Sequence, residues 1–515
     1  AAPASGLKFI GPRVACHGRV IEPSQSDAGR HIMSSHNIAL SDAATAQAFS
    51  GSLAGRLAWP AAAALMVLAL LAPALWNGFP LIFADTGGYL LRPIDGTLDI
   101  GRSALYGAFL AAGIRLEFWP NVLMQAALAI WIIALTLRTH LDRVRRTTTL
   151  LVVLGLAGLT SLPWTASQLM PDIFVPLAAL ALHLLALRPA RLKTMEIAGL
   201  GALAAFAIAS HMSILGMGLA LLLAYAVMVL LPPRWDLPRP RLALPAAALC
   251  AGIGLALTSN AIIGGQFAFT PGGVNFLFGR LVQDGIVSRY LDRACPDPTL
   301  RLCAYRNALP MPAVDWMWWP ESPFQKLGSW KEFTPEAERI IVGTLRTDPG
   351  AHIVTAVEDT WQQLVTLGTG DGVNSDNNQH AVWVLSTHAP NAMARFNAAA
   401  QQRDLFDFTA INWVQVPLAL LATATMPILA LRLRQRRPAI AALALSALLA
   451  LLANAAICGI FSNPDPRYQS RLAPIAVLAA LVAVLDTRRS RRSGSNPRAL
   501  PANPSARLQI ADQIG

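Results

Sequence analysis

Apolar runs of about twenty residues, separated by short arginine-rich links, recur along this chain and limit what it can fold into. Windows such as Leu57–Leu75 and Ile197–Leu231 carry almost no charge. A soluble core is built from apolar stripes at helical or strand spacing, with polar residues on the opposite face. Uninterrupted apolar runs match instead the hydrocarbon layer of a bilayer, about 30 Å thick. The pattern predicts ten membrane-spanning helices. They cover about 56–76, 119–138, 148–165, 171–188, 195–210, 213–231, 242–263, 409–431, 438–459 and 470–487.

Charge supports this class. Charged residues make up 14% of the 515 positions and hydrophobic ones 54%, whereas soluble domains carry about 25% charged residues. The net charge of +12 would suggest nucleic acid in a soluble protein. Here the basic residues sit in links between apolar runs, so no nucleic-acid partner is expected.

Those links give an orientation. Arg138–Arg146, Arg188–Lys193, Arg234–Arg241, Arg432–Arg437 and the tail after Asp486 are rich in Lys and Arg. The positive-inside rule puts such links in the cytoplasm, and ten spans alternate correctly between them. Both termini are then cytoplasmic.

Three segments fall outside: residues 77–118, the turn Ser161–Asp172, and residues 264–408. The piece Ser103–Leu116 in the first outer loop reads as an interfacial amphipathic helix, because a span there would spoil the alternation. The expected fold is therefore an all-α polytopic membrane protein. Residues 1–54 form a disordered extension. Residues 55–263 carry spans 1–7 with the outer loop 77–118. Residues 264–408 form a mixed, mainly helical outer insertion. Residues 409–487 carry spans 8–10, and 488–515 form a disordered basic tail.

Candidate functional residues gather on the outer side. Phe83–Leu90 (FADTGGYL) follows the first span. Asp85 can act as a general base or as an N-cap, beside a Gly-Gly turn that lets backbone approach a ligand; Tyr89 follows as a substrate-binding candidate. Pro171-Asp172 starts the fourth span, as an ordinary helix start or as a second carboxylate or metal ligand. Ser462–Pro474 (SNPDPRYQSRLAP) holds Arg467 and Arg471 around Tyr468. Their i, i+4 spacing puts both guanidinium groups on one helix face. They can bind phosphate or snorkel at the interface. His211 sits at an outer hinge, as a structural residue or a substrate contact.

Cys295 and Cys303 bracket a short loop that a disulfide can close outside the cytoplasm. Asp315–Pro320 (DWMWWP) can stack on sugar or rest at the interface. Gly368–Asn378 (GTGDGVNSDNN) reads as a loop without EF-hand spacing. No motif demands a cofactor, and no spacing matches a closed zinc site; a divalent cation is the one cofactor left open.

An aspartate just past the first span, an outer loop with interfacial helices, and an Arg-Tyr motif before the last span resemble the GT-C superfamily of membrane glycosyltransferases. Protein O-mannosyltransferases and the lipid A aminoarabinose transferase are members. The stretches LTSLPWTASQLMPDIF and DPRYQSRLAP look like those of bacterial membrane proteins near that superfamily. The resemblance covers about residues 56–487 in architecture. It implies transfer of a sugar from a polyprenyl-phosphate donor to an unidentified acceptor, at the outer face of a bacterial cytoplasmic membrane, with 264–408 periplasmic. It implies Asp85 as the catalytic acid and Arg467 and Arg471 as the residues that hold the lipid phosphate; beside them, Asp172 is expected as a second catalytic acid and Tyr468, His211 and Tyr89 as further substrate contacts. Thr86 stands where many members have a second acid. The large insertion lies between spans 7 and 8, where members often carry a domain after the last span. A transporter or flippase of a lipid-linked glycan and a non-enzymatic envelope assembly protein are the alternatives.

Overall fold

The computed structural model describes residues 59–96, 101–232, 235–265, 267–269, 272–295, 297–376 and 379–494. The expected extension 1–54 lies outside them, as does the tail from 495 on. The described chain is a helical membrane protein, with no strand among the described residues and a single isolated bridge between Leu81 and Gln168.

The first apolar run forms α1 (Trp59–Asn77). Two shorter helices follow, α2 (Ala84–Asp95) and α3 (Ala104–Ala111), and then α4 (Trp119–His140), α5 (Arg146–Leu159) and the five-residue α6 (Leu162–Ala166). Four apolar helices come next: α7 (Phe174–Leu187), α8 (Thr194–Ser210), α9 (Met212–Leu230) and α10 (Ala243–Gly264). The insertion holds α11 (Gly273–Gln283), α12 (Ile286–Ala294), α13 (Ala313–Trp318), α14 (Pro323–Lys326), α15 (Ser329–Glu332), α16 (Thr334–Thr347), α17 (Pro349–Val365), α18 (Gln379–His388) and α19 (Met393–Ala398). The chain ends on α20 (Thr409–Leu433), α21 (Pro438–Phe461), the short α22 (Pro466–Ser470) and α23 (Ala473–Gly494).

Each expected apolar run is helical. Among the described residues, 7 helices are long and apolar enough to cross a membrane, while α5, the stretch Pro171–Leu187 and α8 are shorter. The shortness of α7 has a physical reason. All 14 of its residues are buried, packed by α4, α8, α9, α10 and α21. A helix walled by protein has no lipid thickness to match, and a helix apolar on every side is stable only when enclosed.

The arginine-rich links share one end of the bundle. Arg138 pairs with Glu196 at 2.6 Å, Arg241 N donates to Ala186 O at 2.8 Å, and Arg437 pairs with Asp486 at 2.6 Å. The opposite end carries the insertion. There the link expected as the outer turn Ser161–Asp172 is wholly buried. A buried loop needs partners for its backbone, and distant side chains supply them. Gln125 Nε2 donates to Ala166 O and Gln168 O at 3.0 Å each, and Gln415 Nε2 donates to Thr160 O at 2.9 Å. Leu81 exchanges backbone bonds with this link, donating from N to Ser167 O (2.9 Å) and accepting at O from Leu169 N (2.8 Å).

Near the arginine-rich end a buried polar chain crosses the bundle. His140 Nδ1 meets Thr136 O at 2.8 Å, so this nitrogen carries the proton. His140 Nε2 faces His183 Nε2 at 3.1 Å. His183 Nδ1 meets the Ser446 hydroxyl at 2.8 Å, and that hydroxyl accepts from Tyr225 OH at 3.0 Å. Every ring nitrogen of the pair thus has a polar partner.

The piece Ser103–Leu116 does not form one helix. It gives the eight-residue α3 and a 3-10 turn Ile114–Leu116. At about 1.5 Å per residue, α3 is about 12 Å long and packs on α2, α8 and α10. The insertion also divides. Phe278, Trp316, Phe324, Phe333 and Ile340 close a core of their own, stapled by the Cys295–Cys303 disulfide (S–S 2.02 Å). The later part joins the membrane core: Ala381, Val384, Leu385 and Phe396 pack with the span residues. Gln401 fastens it to the first outer loop, accepting from Ile82 N at 3.0 Å and donating to Ile82 O at 2.6 Å.

The Gly-Gly pair is not a turn facing a ligand, because Gly87 and Gly88 lie inside α2. Gly87 is needed for helix approach: a Cβ there would stand 2.8 Å from Ala381 Cα of α18. Gly87→Ala is expected to destabilise the protein by about 1–3 kcal/mol, as overpacking does. Gly158→Ala, on open surface of α5, should leave stability unchanged or raise it by up to about 1 kcal/mol. Thermal unfolding of both variants in detergent checks the contrast.

Candidate functional site

Arg471 sits at the turn between α22 and α23 with no solvent exposure. A buried guanidinium persists only when its donors are met. Arg471 Nη1 donates to Asp172 Oδ1 at 2.9 Å, and Nη2 reaches Ser213 Oγ at 3.1 Å and Asn454 Oδ1 at 3.3 Å. Asp172, 1% exposed, occupies the 3-10 turn Pro171–Ile173 that leads into α7. The starts of α7 and α9, the last turns of α21 and the head of α23 thus meet on one cation.

Arg467 lies one helical turn earlier. Asp465 caps α22, its Oδ1 accepting from Arg467 N at 2.9 Å. The guanidinium stacks on Phe83 with its carbon 3.8 Å from the ring centroid, and Tyr468 stands on its other contact at 5.2 Å. Its Nε is 4.0 Å from Asp172 Oδ1, beyond hydrogen-bond reach. Both Nε and Nη1 are buried without a hydrogen-bond partner. Of the two arginines on one helix face, Arg471 makes side-chain hydrogen bonds through both Nη1 and Nη2 and leaves only Nε unpartnered, whereas Arg467 leaves Nε and Nη1 unpartnered.

Two clefts flank this group. The first is lined by Thr165, Gln168, Gly370, Asp371, Arg467 and Arg471. Its loop is the Gly368–Asp376 stretch, expected as a plain connection. Gly372 takes a left-handed φ of 67° there, and a Cβ would collide with the Phe83 ring that Arg467 stacks on. Burial pushes the Asp465 carboxyl up to about 6 against the pull of Arg467, with the Asp371 carboxylate raising it further. Sequence reasoning passed over this acid pair, because residues 371 and 465 are joined only by folding.

The second cleft is lined by Arg102, Ser103, Ser210, His211 and Asn260. Arg102 forms an ion pair with Asp85 and lies 5.8 Å over the Tyr89 ring. Asp85 is therefore not the N-cap of α2. Phe83 holds the cap position, and Thr86 Oγ1 accepts from Phe83 N at 3.0 Å while donating to Leu169 O at 3.1 Å. Thr86, standing where a second acid was the family expectation, ties the first loop to the buried link. His211 Nδ1 accepts from Ser213 N at 3.2 Å, so its proton sits on Nε2. Burial, with Arg471 beside it, holds this imidazole down at about 3, so it stays neutral.

The fold thus gathers Asp85, Tyr89, Asp172, His211, Arg467, Tyr468 and Arg471 at the insertion end, with Tyr89 within electrostatic reach of Asp85, Arg102, Asp172 and Arg467. Cys295 and Cys303 lie apart from this group, in the separate core of the insertion. Among the described residues, no group of three or more His, Cys, Asp and Glu side chains is placed to hold a metal ion. Comparison with known proteins gives no match: no family model, no curated protein and no solved structure matches the chain.

Asp172 and Arg471 should show strong coupling. Asp172→Asn or Arg471→Gln alone leaves a buried charge uncompensated and is expected to cost about 3–5 kcal/mol. The double variant should lose clearly less than the sum of the two. A double-mutant cycle by thermal or denaturant unfolding in detergent measures the coupling.

Proposed function

We propose that this chain is a membrane glycosyltransferase, moving a sugar from a polyprenyl-phosphate donor to an acceptor hydroxyl at the insertion end of the bundle. The reading places ten spans in a bacterial cytoplasmic membrane, with both termini cytoplasmic and residues 264–408 in the periplasm. The clustering of arginine-rich links at one end favours that orientation. A disulfide in the insertion favours an oxidising compartment for it.

The observation that carries the reading is Arg467. Its guanidinium is buried beside a cleft with two nitrogens lacking hydrogen-bond partners. An unmet buried donor is costly, more so when charged, and a phosphate oxygen pair satisfies an arginine bidentately. In the proposed reaction the bond between the sugar C1 and the phosphate oxygen breaks. The acceptor oxygen bonds C1 from the opposite face and inverts it. The acceptor's proton passes to a carboxylate of the Asp371–Asp465 pair, and polyprenyl phosphate leaves with the bonding electrons. Arg467 stabilises the charge that develops on it. Asp172 and Arg471 hold Arg467's surroundings in place, while Asp85 is a positioning residue that orients Arg102 at the second cleft.

The test uses proteoliposomes, radiolabelled polyprenyl-phosphate-linked hexoses and a cell-envelope extract as acceptor source. Arg467→Gln is expected to lower release of polyprenyl phosphate by about 10²–10³-fold with an unchanged melting temperature. Undiminished release in that variant sinks the assignment. Movement of intact donor across the bilayer without cleavage would favour a flippase instead.

The acid pair sets the pH profile. A base must be unprotonated, so transfer should rise with pH through about 6, where Asp465 loses its proton. Asp371→Asn removes the like charge that raises Asp465, so the rising limb should move to lower pH. A pH–rate profile with the limb unmoved in Asp371→Asn removes the pair from the mechanism.

A further inference from the structure

Helix α17 carries an exposed apolar face that the proposed reaction does not use. Ile353, Val354, Val357, Trp361 and Val365 are each exposed, Ile353 at 67% and Val357 at 65%. At about 100° per residue these five positions fall within one arc of roughly 120°. Exposed Glu358 and Gln362 follow at the edge of that arc. The opposite side of the helix is packed, with Asp359 and Gln363 buried. Such a cluster on a helix face marks a contact surface rather than chance exposure.

Its position relative to a span points to the occupant. α17 lies along α21, which is long and apolar enough to cross a membrane. The approach is backbone on backbone, because a Cβ at Gly459 would stand 2.6 Å from Asp359 O. One turn later Gln363 clasps the start of α22, accepting from Asp465 N and donating to Asp465 O at 2.9 Å each. Asp359 thus meets the last turn of α21 and Gln363 meets the link that follows it, so this part of α17 lies at the insertion end of the span. Trp361 is two residues from Asp359 and so lies near the end of the span, where indole rings favour the headgroup layer. Leu452 and Phe461 of α21 are exposed alongside, at 37% and 50%.

We propose that α17 is a lipid-contacting helix, its apolar arc facing the acyl chains of the leaflet on the insertion side. The arc continues the lipid-facing surface of α21. Through the Gln363 clasp, this contact fixes the turn that carries Arg467.

The experiment uses the full chain in lipid nanodiscs, with Cys16 and Cys250 replaced by alanine. Single cysteines at Val354, Val357 and Trp361 are labelled with a bimane fluorophore, with Glu321→Cys, in an exposed loop of the insertion, as reference. Brominated-acyl phosphatidylcholine should quench the α17 sites at least several-fold more than the reference. A water-soluble maleimide should react with the unlabelled α17 cysteines at least about tenfold more slowly than with the reference. Maleimide reaction as fast as at the reference overturns the proposal in favour of a solvent-facing helix. Slow reaction without quenching by brominated lipid overturns it in favour of a covering protein.

Discussion

A fully buried guanidinium in an apolar bundle organises this structure. The charge of Arg471 cannot be left unmet in a low-dielectric interior, where an isolated ion costs several kcal/mol even after relaxation. Its Nη donors are met by groups from three separate parts of the chain: Asp172, Ser213, and Asn454 with Cys458 Sγ on α21, the last at 3.5 Å. Apolar helices slide past one another at small cost when their surfaces are made of Leu and Ala. A single cation with several polar partners allows one register. The tops of α7, α9 and α21 are aligned by that requirement, and the two clefts form on either side of it.

The alternation of apolar runs and basic links made the helices legible, because bilayer thickness and the charge rule both act on local sequence. The link Thr160–Ile173 was not legible in the same way. Its Ser, Thr, Gln and Asp residues read as a solvated turn, yet they are buried because Gln125, Gln415 and Ser470 arrive from elsewhere to satisfy them. The Gly-Gly pair in FADTGGYL misled for a related reason. Glycine signals either a turn or a close approach, and which one applies here depends on α18, about 290 residues away.

The candidate site was legible in part. Asp85, Asp172, Arg467 and Arg471 stand out locally as charges in an apolar chain, and the fold places them at one end. What each charge touches was hidden. Arg102 is an ordinary loop arginine in sequence, yet it holds Asp85. Asp371 is one acid in a Gly/Asn/Asp stretch, and only folding sets it beside Asp465. Spacing alone could not rank Arg467 against Arg471 either, since i, i+4 residues share a face without sharing partners.

That division between the two arginines has a consequence for any anion the clefts receive. Arg471 is committed to Asp172, so pulling it toward a ligand would expose Asp172 as a buried, unpaired carboxylate. Arg467 can bind an anion without breaking a hydrogen bond of its own, and the Phe83 ring already fixes its plane. The reorganisation on binding is therefore small, which is the condition under which a fixed charge stabilises developing charge well. The hydrogen-bonded arginine makes the other one useful: by holding Asp172 Oδ1 at 2.9 Å it keeps that carboxylate 4.0 Å from Arg467 Nε, beyond hydrogen-bond reach.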